Sequence, residues 1–472
     1  MKQFFALLFS LAVSYPLQAQ FTNILISPTG CTEPSICINP TDISQVVAAT
    51  NCTYSYFSSD TGQTWSPCMN PTITPGLWCY DPCIIADMNG HFYYFHNNET
   101  QITPRATVQK SFNGGQSWTY DNGVPDNYDK EMACVRPSTN EIYAVYYTYT
   151  SGTDIGFSRS ADGGVTWTPR TWANTGNYTS MQIGAAIAVG AGIGDIYVVW
   201  KNDAGIMFQR SFDNGATWAI NDYALRTFIN SGNGHNCMPS ISTDLSAGPN
   251  NGNIYITWYE LDVNGVDTDI YFAKSTDQGG TWSISNIASD INTDQKWPQI
   301  TLDQMTGNIY VLYYEGNNPA TQHAVKMAFS VDGGSTFTNV NVANTPANVT
   351  NWFHHYIGNS AHNGVIRPAW TTNDSFYTAL ITQTMLDQWL STGDHQLQSA
   401  LNIYPNPSPG EFFLTSPLSG ELSLINAIGE TVMIRMIGIK EERFDIASLP
   451  SGLYIVSLKT DKGTATQRLI KK

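Results

Sequence analysis

Residues 58–65 read SSDTGQTW, and close variants of this phrase recur five more times along the chain. The other copies are residues 111–118 (SFNGGQSW), 160–167 (SADGGVTW), 211–218 (SFDNGATW), 275–282 (STDQGGTW) and 330–337 (SVDGGSTF). Their acidic or amide positions are Asp60, Asn113, Asp162, Asp213, Asp277 and Asp332, 49 to 64 residues apart. This period suits one four-stranded sheet per copy, so the repeat predicts an all-β fold, a six-bladed β-propeller.

Each copy, called a box below, has the chemistry of a tight turn. The short acid can accept backbone N–H groups, and the glycine two residues later can adopt a positive φ. The closing aromatic residue then begins the next strand and is large enough to wedge between neighbouring sheets. We therefore assign the six box positions a structural role and look for chemistry elsewhere.

The segments between the boxes read as short strands. Runs such as GNIYITW at residues 252–258 are rich in β-branched and aromatic residues, and they alternate between turn signals. No long amphipathic helix is predicted between residues 21 and 385. A closed ring needs its two chain ends in one blade, because an open array leaves an unpaired sheet edge. Residues 21–27 are therefore predicted to pair with the last strands, at 365–370 and 376–381.

Composition divides the chain into parts. Residues 1–19 read as an export signal peptide, with Lys2, an apolar run and a small residue before the cut. The propeller is predicted over residues 20–388, a polar linker over 389–400, and a small antiparallel β-sandwich over 401–472. No other apolar stretch is long enough to cross a bilayer. The mature protein is expected to be exported and monomeric.

Charge restricts the partners. Residues 21–400 hold 13 basic and 31 acidic residues, a net charge of −18. A field of this sign repels nucleic acid and anionic membrane surfaces. It also opposes anionic sugars unless arginines gather locally.

The chain has eight cysteines, an even number that favours disulfides in an exported protein. Short loops suggest the pairs Cys31 with Cys37, Cys52 with Cys68, and Cys79 with Cys83. Other connectivities remain open, and a zinc site is the alternative, although no paired CxxC motifs are present.

The last 72 residues carry four short motifs: YPNP at 404–407, NAIGE at 426–430, LPSGLY at 449–454 and RLIKK at 468–472. Together they resemble the type IX secretion system type A sorting domain over its whole length. The resemblance implies the type IX secretion machinery as a partner, passage across the outer membrane, and release or anchoring at the cell surface.

The six boxes resemble the Asp-box, or BNR, repeats of the sialidase superfamily, from residue 21 to about residue 385. This resemblance implies the six-bladed propeller. An exo-α-sialidase would also carry an Arg-Ile-Pro motif, a three-arginine clamp for a carboxylate, an acid/base Asp, and a Tyr nucleophile paired with a Glu. No Arg-Ile-Pro occurs in the sequence; the nearest phrases place Arg136 and Arg367 before prolines. Arg105, Arg136, Arg226 and Arg367 are the conceivable members of a clamp. Of these, Arg136 and Arg367 are selected as catalytic candidates together with Tyr356.

A binding or catalytic surface is predicted at one mouth of the central channel, where a loop enters each innermost strand. Aromatic residues beside amides, carboxylates and imidazoles suit a sugar ring, which has an apolar face and a rim of hydroxyls. The candidate rim residues are Trp78, Tyr80, Tyr128, Lys130, Gln182, His235, Asn236, Lys296, Trp297 and His355. If hydrolysis occurs, Asp81, Asp129 and Glu131 are the acids to test first. The alternative is that these aromatic residues only plug the channel.

No cofactor is predicted. A Ca²⁺ site at Asp262, Asn264, Asp267 and Asp269 is the one alternative, and an ordinary solvated turn explains the same residues. Three function classes remain: a glycan- or glycoprotein-binding propeller, a glycoside hydrolase of exo-α-sialidase type with altered catalytic residues, and an adhesin or scaffold that binds proteins. Glycan recognition leads, because of the aromatic rim.

Overall fold

The computed structural model describes most of the chain after residue 20 and divides it into two compact units, Met1–Ile381 and Thr382–Lys472. The described residues are 21–29, 32–51, 53–69, 79–98, 106–119, 124, 128–148, 154–176, 182–228, 237–261, 265–289, 293–316, 323–343, 356–372, 375–387, 402–416, 418–426, 430–460 and 463–472. Both units are built from antiparallel strands, and the prediction of an all-β protein is confirmed.

The first unit is a β-propeller of seven sheets within its described part. Blades 1 to 3, innermost strand first, are β2 (Ser35–Ile38), β3 (Val46–Ala49), β4 (Tyr54–Ser58), β5 (Ser66–Met69); β6 (Cys79–Ala86), β7 (Phe92–Asn98), β8 (Ala106–Ser111); and β9 (Tyr128–Val135), β10 (Ile142–Thr148), β11 (Ile155–Ser160), β12 (Thr171–Trp172). Blades 4 and 5 are β13 (Ile183–Val189), β14 (Ile196–Asn202), β15 (Gly205–Ser211), β16 (Tyr223–Thr227); and β17 (Ser240–Thr243), β18 (Ile254–Leu261), β19 (Thr268–Ser275), β20 (Ser283–Ala288).

Blades 6 and 7 are β21 (Asp294–Leu302), β22 (Ile309–Gly316), β23 (His323–Ser330), β24 (Thr338–Asn341); and β25 (Gly358–His362), β26 (Val365–Thr371), β27 (Phe376–Ala379), β1 (Asn23–Ser27). The short β28 (Ile381–Thr382) pairs with β26, and a helical turn follows at 383–387. Each innermost strand contacts the innermost strands of the two neighbouring blades, and β25 contacts β2, so the ring is closed.

The predicted number of blades is wrong: there are seven, not six. Each box follows the third strand of blades 1 to 6, and a fourth strand comes after it in all of these except blade 2, which has three strands in its described part. Blade 7 has no box, because its third strand is β27 and its fourth strand, β1, comes from the other end of the chain. The predicted closure is confirmed, since Asn23 pairs with Ala379 and Ser27 with Phe376.

The boxes form the predicted turns. In the first box, Ser58 Oγ donates to Asp60 Oδ1 over 2.7 Å, and the backbone N–H groups of Gly62 and Thr64 donate to Ser58 Oγ and Asp60 Oδ1. Burial raises the pKa of Asp60, but the hydrogen bonds from Thr64, Ser58 and Gln63 outweigh it and hold the pKa at about 2. The box carboxylates therefore serve the turn.

The closing aromatic residues wedge between blades as expected. Trp218 of the fourth box meets Phe157 of blade 3 edge-to-face, with ring centroids 5.1 Å apart. Trp282 meets Phe208 of blade 4 at 5.0 Å in the same way. These contacts bury the faces of adjacent sheets and fix the angle between them.

The described cysteines do not form the predicted bridges. Cys37, Cys68, Cys83, Cys134 and Cys237 have free thiols, so the pairings proposed for Cys37, Cys68 and Cys83 are not formed in this structure. Burial raises the pKa of Cys37, Cys83, Cys134 and Cys237 to about 12. A thiol with so high a pKa packs as a small apolar side chain at neutral pH.

The second unit is the predicted small antiparallel sandwich. One sheet has the order β29 (Asn402–Tyr404), β30 (Glu411–Thr415), β33 (Glu442–Asp445); the other has the order β32 (Thr431–Ile437), β31 (Gly420–Asn426), β34 (Gly452–Thr460), β35 (Gly463–Lys471). Phe412 and Leu414 from the first sheet pack with Leu422, Val456 and Leu469 from the second, and all five are fully buried. Among the described residues of both units, no helix is long and apolar enough to cross a membrane.

Candidate functional site

The innermost strands change conformation where they start, at one mouth of the central channel. Asp81, Lys130 and Trp297 have φ angles of 52°, 54° and 59°, a left-handed conformation that is uncommon for residues other than glycine. Each lies where the register shifts between the innermost strand and the next. Glu33, two residues before β2, has φ 59°. Such bulges re-aim side chains, and left-handed residues of this kind concentrate at functional sites.

Blades 1, 2, 3 and 7 bring charged and phenolic side chains together at this mouth. Lys130 Nζ lies 3.0 Å from Asp81 Oδ1 and 3.3 Å from Glu33 Oε1. Tyr356 OH, which precedes blade 7, lies 3.1 Å from Asp81 Oδ1 and 3.4 Å from Glu33 Oε2. We call Glu33, Asp81, Lys130, Glu131 and Tyr356 the mouth cluster.

Two asparagines from the second strands hold the mouth cluster in place. Asn51, just after β3, donates from Nδ2 to Glu33 Oε2 over 2.6 Å and accepts the backbone N–H of Asp81 at 2.8 Å. Asn97, near the end of β7, donates to Asp81 Oδ2 over 3.2 Å. The left-handed backbone at Asp81 is thus fixed by a side chain from the neighbouring blade.

The mouth cluster is buried and acidic. Glu33, Asp81, Glu131 and Tyr356 are 3%, 4%, 1% and 6% exposed, while the Lys130 side chain is 16% exposed and reaches solvent. Burial raises the pKa of Tyr356 well above its usual range, and the negative charges of Asp81, Glu33 and Glu131 raise it further. Tyr356 therefore stays protonated and acts here as a hydrogen-bond donor, not as a base.

The mouth cluster stands over a cavity of about 380 Å³ that runs along the propeller axis. Lys130, Tyr356 and Trp297 line it at the mouth, and apolar side chains such as Ile84 and Ile187 line it deeper in. Trp297 is 3% exposed, and its ring meets Tyr259 edge-to-face at 5.3 Å. Serine, threonine and amide side chains also line the cavity, and among the described lining residues the charged one, Lys130, lies at the mouth.

Arg136 lies at the opposite end of β9 from Lys130. Its guanidinium donates to the carbonyl oxygens of Gly190, Gly192 and Asp195 over 3.3, 2.7 and 2.9 Å. These contacts tie blade 3 to the turn before β14. Arg136 therefore joins two blades and does not face the channel mouth.

Arg367 is also away from the mouth. It is fully buried in β26 and faces Gly62 of the first box, where a Cβ added to the glycine would meet its guanidinium carbon at 2.8 Å. Within the described part of the chain, its three nitrogens have no hydrogen-bond partner. Burial lowers its pKa to about 10, and Asp60 opposes that shift. Neither arginine joins the mouth cluster; Arg226 pairs with Glu260 instead, and Arg105 lies outside the described residues.

The other predicted residues divide into three groups. Gln182 is buried and accepts from Trp200 Nε1 over 2.7 Å, Lys296 pairs with Asp294 at 3.1 Å, and Tyr80, beside Asp81, is 37% exposed. Tyr128 and Asp129 lie in β9, but their side chains are outside the described residues. Wholly outside them are Trp78, His235, Asn236 and His355, and, from the calcium hypothesis, Asp262 and Asn264.

The remaining members of the calcium hypothesis do not make a site by themselves. Asp269 is buried and accepts from Asn286 Nδ2 over 2.7 Å, while Asp267 lies in the turn before it. In the described part of the chain, no group of three or more His, Cys, Asp or Glu residues is placed to hold a metal ion.

Three members of the site were missed by sequence reasoning: Glu33, Asn51 and Asn97. A signal for the first was present, because Glu33-Pro34 precedes β2 as Asp81-Pro82 opens β6 and Trp297-Pro298 lies in β21. In these three blades the residue before the proline has a left-handed backbone and lies at the mouth. The two asparagines follow apolar second strands and carry no comparable signal.

Residues 402–472 match the family described as Secretion system C-terminal sorting domain. The second unit is a secretion sorting domain. The protein is accordingly exported to the cell surface or secreted. No curated protein matches the sequence at a significant level.

Solved structures similar to the chain are propellers. One, described as a polysaccharide lyase of the PL25 ulvan lyase family, has a TM-score of 0.52 at 12% identity, over 77% of this chain and 96% of that one. YCF48 from Cyanidioschyzon merolae gives 0.47 at 11% identity, over 77% and 99%. The α-L-arabinanase of Penicillium chrysogenum complexed with arabinobiose gives 0.44 at 13% identity, over 76% and 99%. At these identities the similarity shows the fold alone.

Proposed function

We propose that the protein is an exported saccharide-binding propeller whose ligand docks at the mouth cluster. The observation that carries the proposal is the mouth cluster itself, which gathers three carboxylates, an ammonium and a phenol, with Glu33, Asp81 and Lys130 in a left-handed backbone conformation. Burying such charges is costly, and folding alone does not require them. Charged and polar groups that converge at the mouth of a cavity are the usual form of a small-molecule site.

The chemistry fits a sugar. Carboxylates accept hydrogen bonds from hydroxyls, and Lys130 Nζ can donate to a ring or glycosidic oxygen. Tyr80, which precedes Asp81 in β6, is 37% exposed and can offer an aromatic face to a sugar. The solved ulvan lyase bound to -[GlcA(1-4)Rha3S]- supports the proposal, since it shows a propeller of this fold holding a saccharide.

The charge of the site argues for a ligand that is not anionic. The mouth cluster holds three acids and one ammonium, and Arg136 and Arg367 lie elsewhere. A sialic acid carboxylate would meet repulsion from Glu33, Asp81 and Glu131, and among the described residues Lys130 is the cation that the structure places against Glu33 and Asp81. A neutral or cationic saccharide avoids this repulsion.

The test is calorimetric titration of the mature full-length chain with neutral oligosaccharides found on a glycan array. Tyr80→Ala is expected to weaken binding about tenfold, because a stacked aromatic side chain contributes on the order of 1 kcal/mol. Tyr223→Ala is the matched control: Tyr223 is 44% exposed but lies on β16, the outermost strand of blade 4. Equal losses in the two variants, or no saccharide binding by the parent protein, would contradict the proposal.

A glycoside hydrolase is the second candidate, and one observation favours it. Asp81 and Glu33 both reach Lys130 and Tyr356, so two carboxylates share one site, as acid and base do in glycosidases. Release of a fluorogenic leaving group from neutral glycosides, abolished by Asp81→Asn and kept by Glu141→Gln at the far end of blade 3, would establish turnover. An inactive parent chain on the whole panel would remove this candidate.

A further inference from the structure

The ammonium group of Lys130 has the surroundings of a bound cation. Asp81 Oδ1 and Glu33 Oε1 lie 3.0 and 3.3 Å from Nζ, and the ring of Tyr356 lies below it, with its centroid 5.6 Å away. Two carboxylates and an aromatic face are the groups that proteins use to hold an ammonium ion. Glu131 adds negative charge near the same place, since it contributes to the raised pKa of Tyr356.

The groups that surround the Lys130 ammonium, Glu33, Asp81 and Tyr356, are called the cage below. They belong to other blades than Lys130 itself. Glu33 precedes blade 1, Asp81 opens blade 2 and Tyr356 precedes blade 7, whereas Lys130 reaches in from blade 3. Asn51 and Asn97 fix the two carboxylates through hydrogen bonds that do not involve Lys130. The cage is therefore held together without its occupant.

The ammonium of Lys130 can be exchanged for an ammonium group of another molecule. Lys130 is joined to β9 by a flexible side chain, 16% exposed, so its ammonium has a path to solvent. A second ammonium that entered the cage would restore the same contacts, and the free energy of exchange would be small because one desolvated cation replaces another.

We propose that Glu33, Asp81 and Tyr356 of the mouth cluster form a cage for a primary ammonium group. Lys130 occupies the cage in this structure, and the saccharides that the protein binds carry a free amine. The inference deepens the proposed function and rests on it. Amino sugars with an unacetylated nitrogen are the chemical class that offers both the hydroxyls and the cation. The net charge of −18 on residues 21–400 favours the approach of such ligands.

The first test compares glucosamine oligosaccharides with their N-acetylated counterparts by calorimetric titration of the full-length chain. The parent protein is expected to prefer the free amine. Lys130→Met removes the competing cation and keeps the length of the side chain, so it should bind the amine about tenfold more tightly and the acetylated sugar no better. Equal affinity of Lys130→Met for the two sugars would overturn the cage but leave saccharide binding intact. Binding of neither sugar by either protein would overturn both proposals.

The second test does not depend on any saccharide. Lys130→Ala lacks three carbons and the ammonium group of the lysine side chain, and n-propylammonium supplies the same atoms. Added n-propylammonium should therefore raise the melting temperature of this variant in a saturable way. The uncharged n-propanol and the sodium ion should not raise it. If Lys130→Ala does not fold alone, folding that depends on n-propylammonium is the same result. Lys274→Ala is the control, because Lys274 Nζ donates to the carbonyl oxygen of Gly333 and, within the described part of the chain, to no carboxylate. No rise for Lys130→Ala, or an equal rise for Lys274→Ala, would refute the cage.

Discussion

Arg367 occupies a position that five other blades give to tyrosine. The second strands of blades 2 to 6 start with an apolar residue followed by tyrosine: Phe92-Tyr93, Ile142-Tyr143, Ile196-Tyr197, Ile254-Tyr255 and Ile309-Tyr310. In β26 the corresponding pair is Ile366-Arg367. Ile366 lies four residues before the buried Trp370, just as Ile254 of β18 lies four residues before the buried Trp258. We predict that Arg367→Tyr stabilises the protein.

The magnitude follows from the burial of the charge. Arg367 is fully buried, and burial lowers its pKa to about 10, which corresponds to about 3 kcal/mol against the charged form in the folded state. A tyrosine there would carry no charge, and its hydroxyl would point at the first box, as Tyr143 OH contacts Asn214 of the fourth box at 2.9 Å. The expected gain is about 1–3 kcal/mol, reduced by any misfit of shape.

Urea unfolding of the parent chain, Arg367→Tyr and Arg367→Met measures this gain. Both variants should have higher midpoints with unchanged m-values, and Arg367→Tyr should exceed Arg367→Met because it restores the contact with the box. A loss of 2 kcal/mol or more in both would show that the guanidinium pairs with Asp60 and holds blades 7 and 1 together, and the reasoning would be refuted.

Two other predictions concern stability. Deleting residues 21–30 removes β1 with Phe21 and Ile26, which are 6% and 7% exposed, so the loss should be about 3–6 kcal/mol; an unchanged melting temperature would exclude closure by β1. Burial lowers the pKa of His96 to about 4, although hydrogen bonds to Asn97 and Gln109 oppose the shift. In the unfolded chain the pKa of this histidine is near 6.5, so the unfolded state takes up the proton first. The free energy of unfolding therefore falls as the pH drops from 6.5 towards 4. Urea midpoints at pH 7 and 5 should differ less in His96→Gln, and a parent chain with equal midpoints would contradict the assignment.

The boxes made most of the propeller predictable, because a turn with a fixed hydrogen-bond pattern needs a fixed residue pattern. Ser58, Asp60 and Gly62 form the turn that their types require. The same reasoning miscounted the blades, because blade 7 closes with β1 and has no turn between its third and fourth strands. A blade assembled from both ends of a chain carries no box, so counting boxes missed blade 7 although its strands, β1 included, were predicted.

The site was predictable only in part. Asp81, Glu131, Lys130 and Tyr356 were identified from their place before the innermost strands, and the structure brings them together. Arg136 and Arg367 were selected because they precede prolines, a local feature that does not determine which way a strand turns its side chain. Contacts across blades, such as Asn51 with Glu33, depend on the angle between sheets, and no short stretch of sequence encodes that angle.

The pairing of Asn23 with Ala379 has a consequence for how the protein matures. During synthesis and export the amino-terminal segment has no neighbour until nearly the whole ring has emerged, so circular assembly is completed last and slowly. Until then the sheet edges on both sides of the gap are unpaired, and the amino-terminal strand of a second molecule in the same state could pair with them by domain swapping. A bulky fusion placed just ahead of residue 21 would hinder this final step, whereas one placed after the sandwich would not.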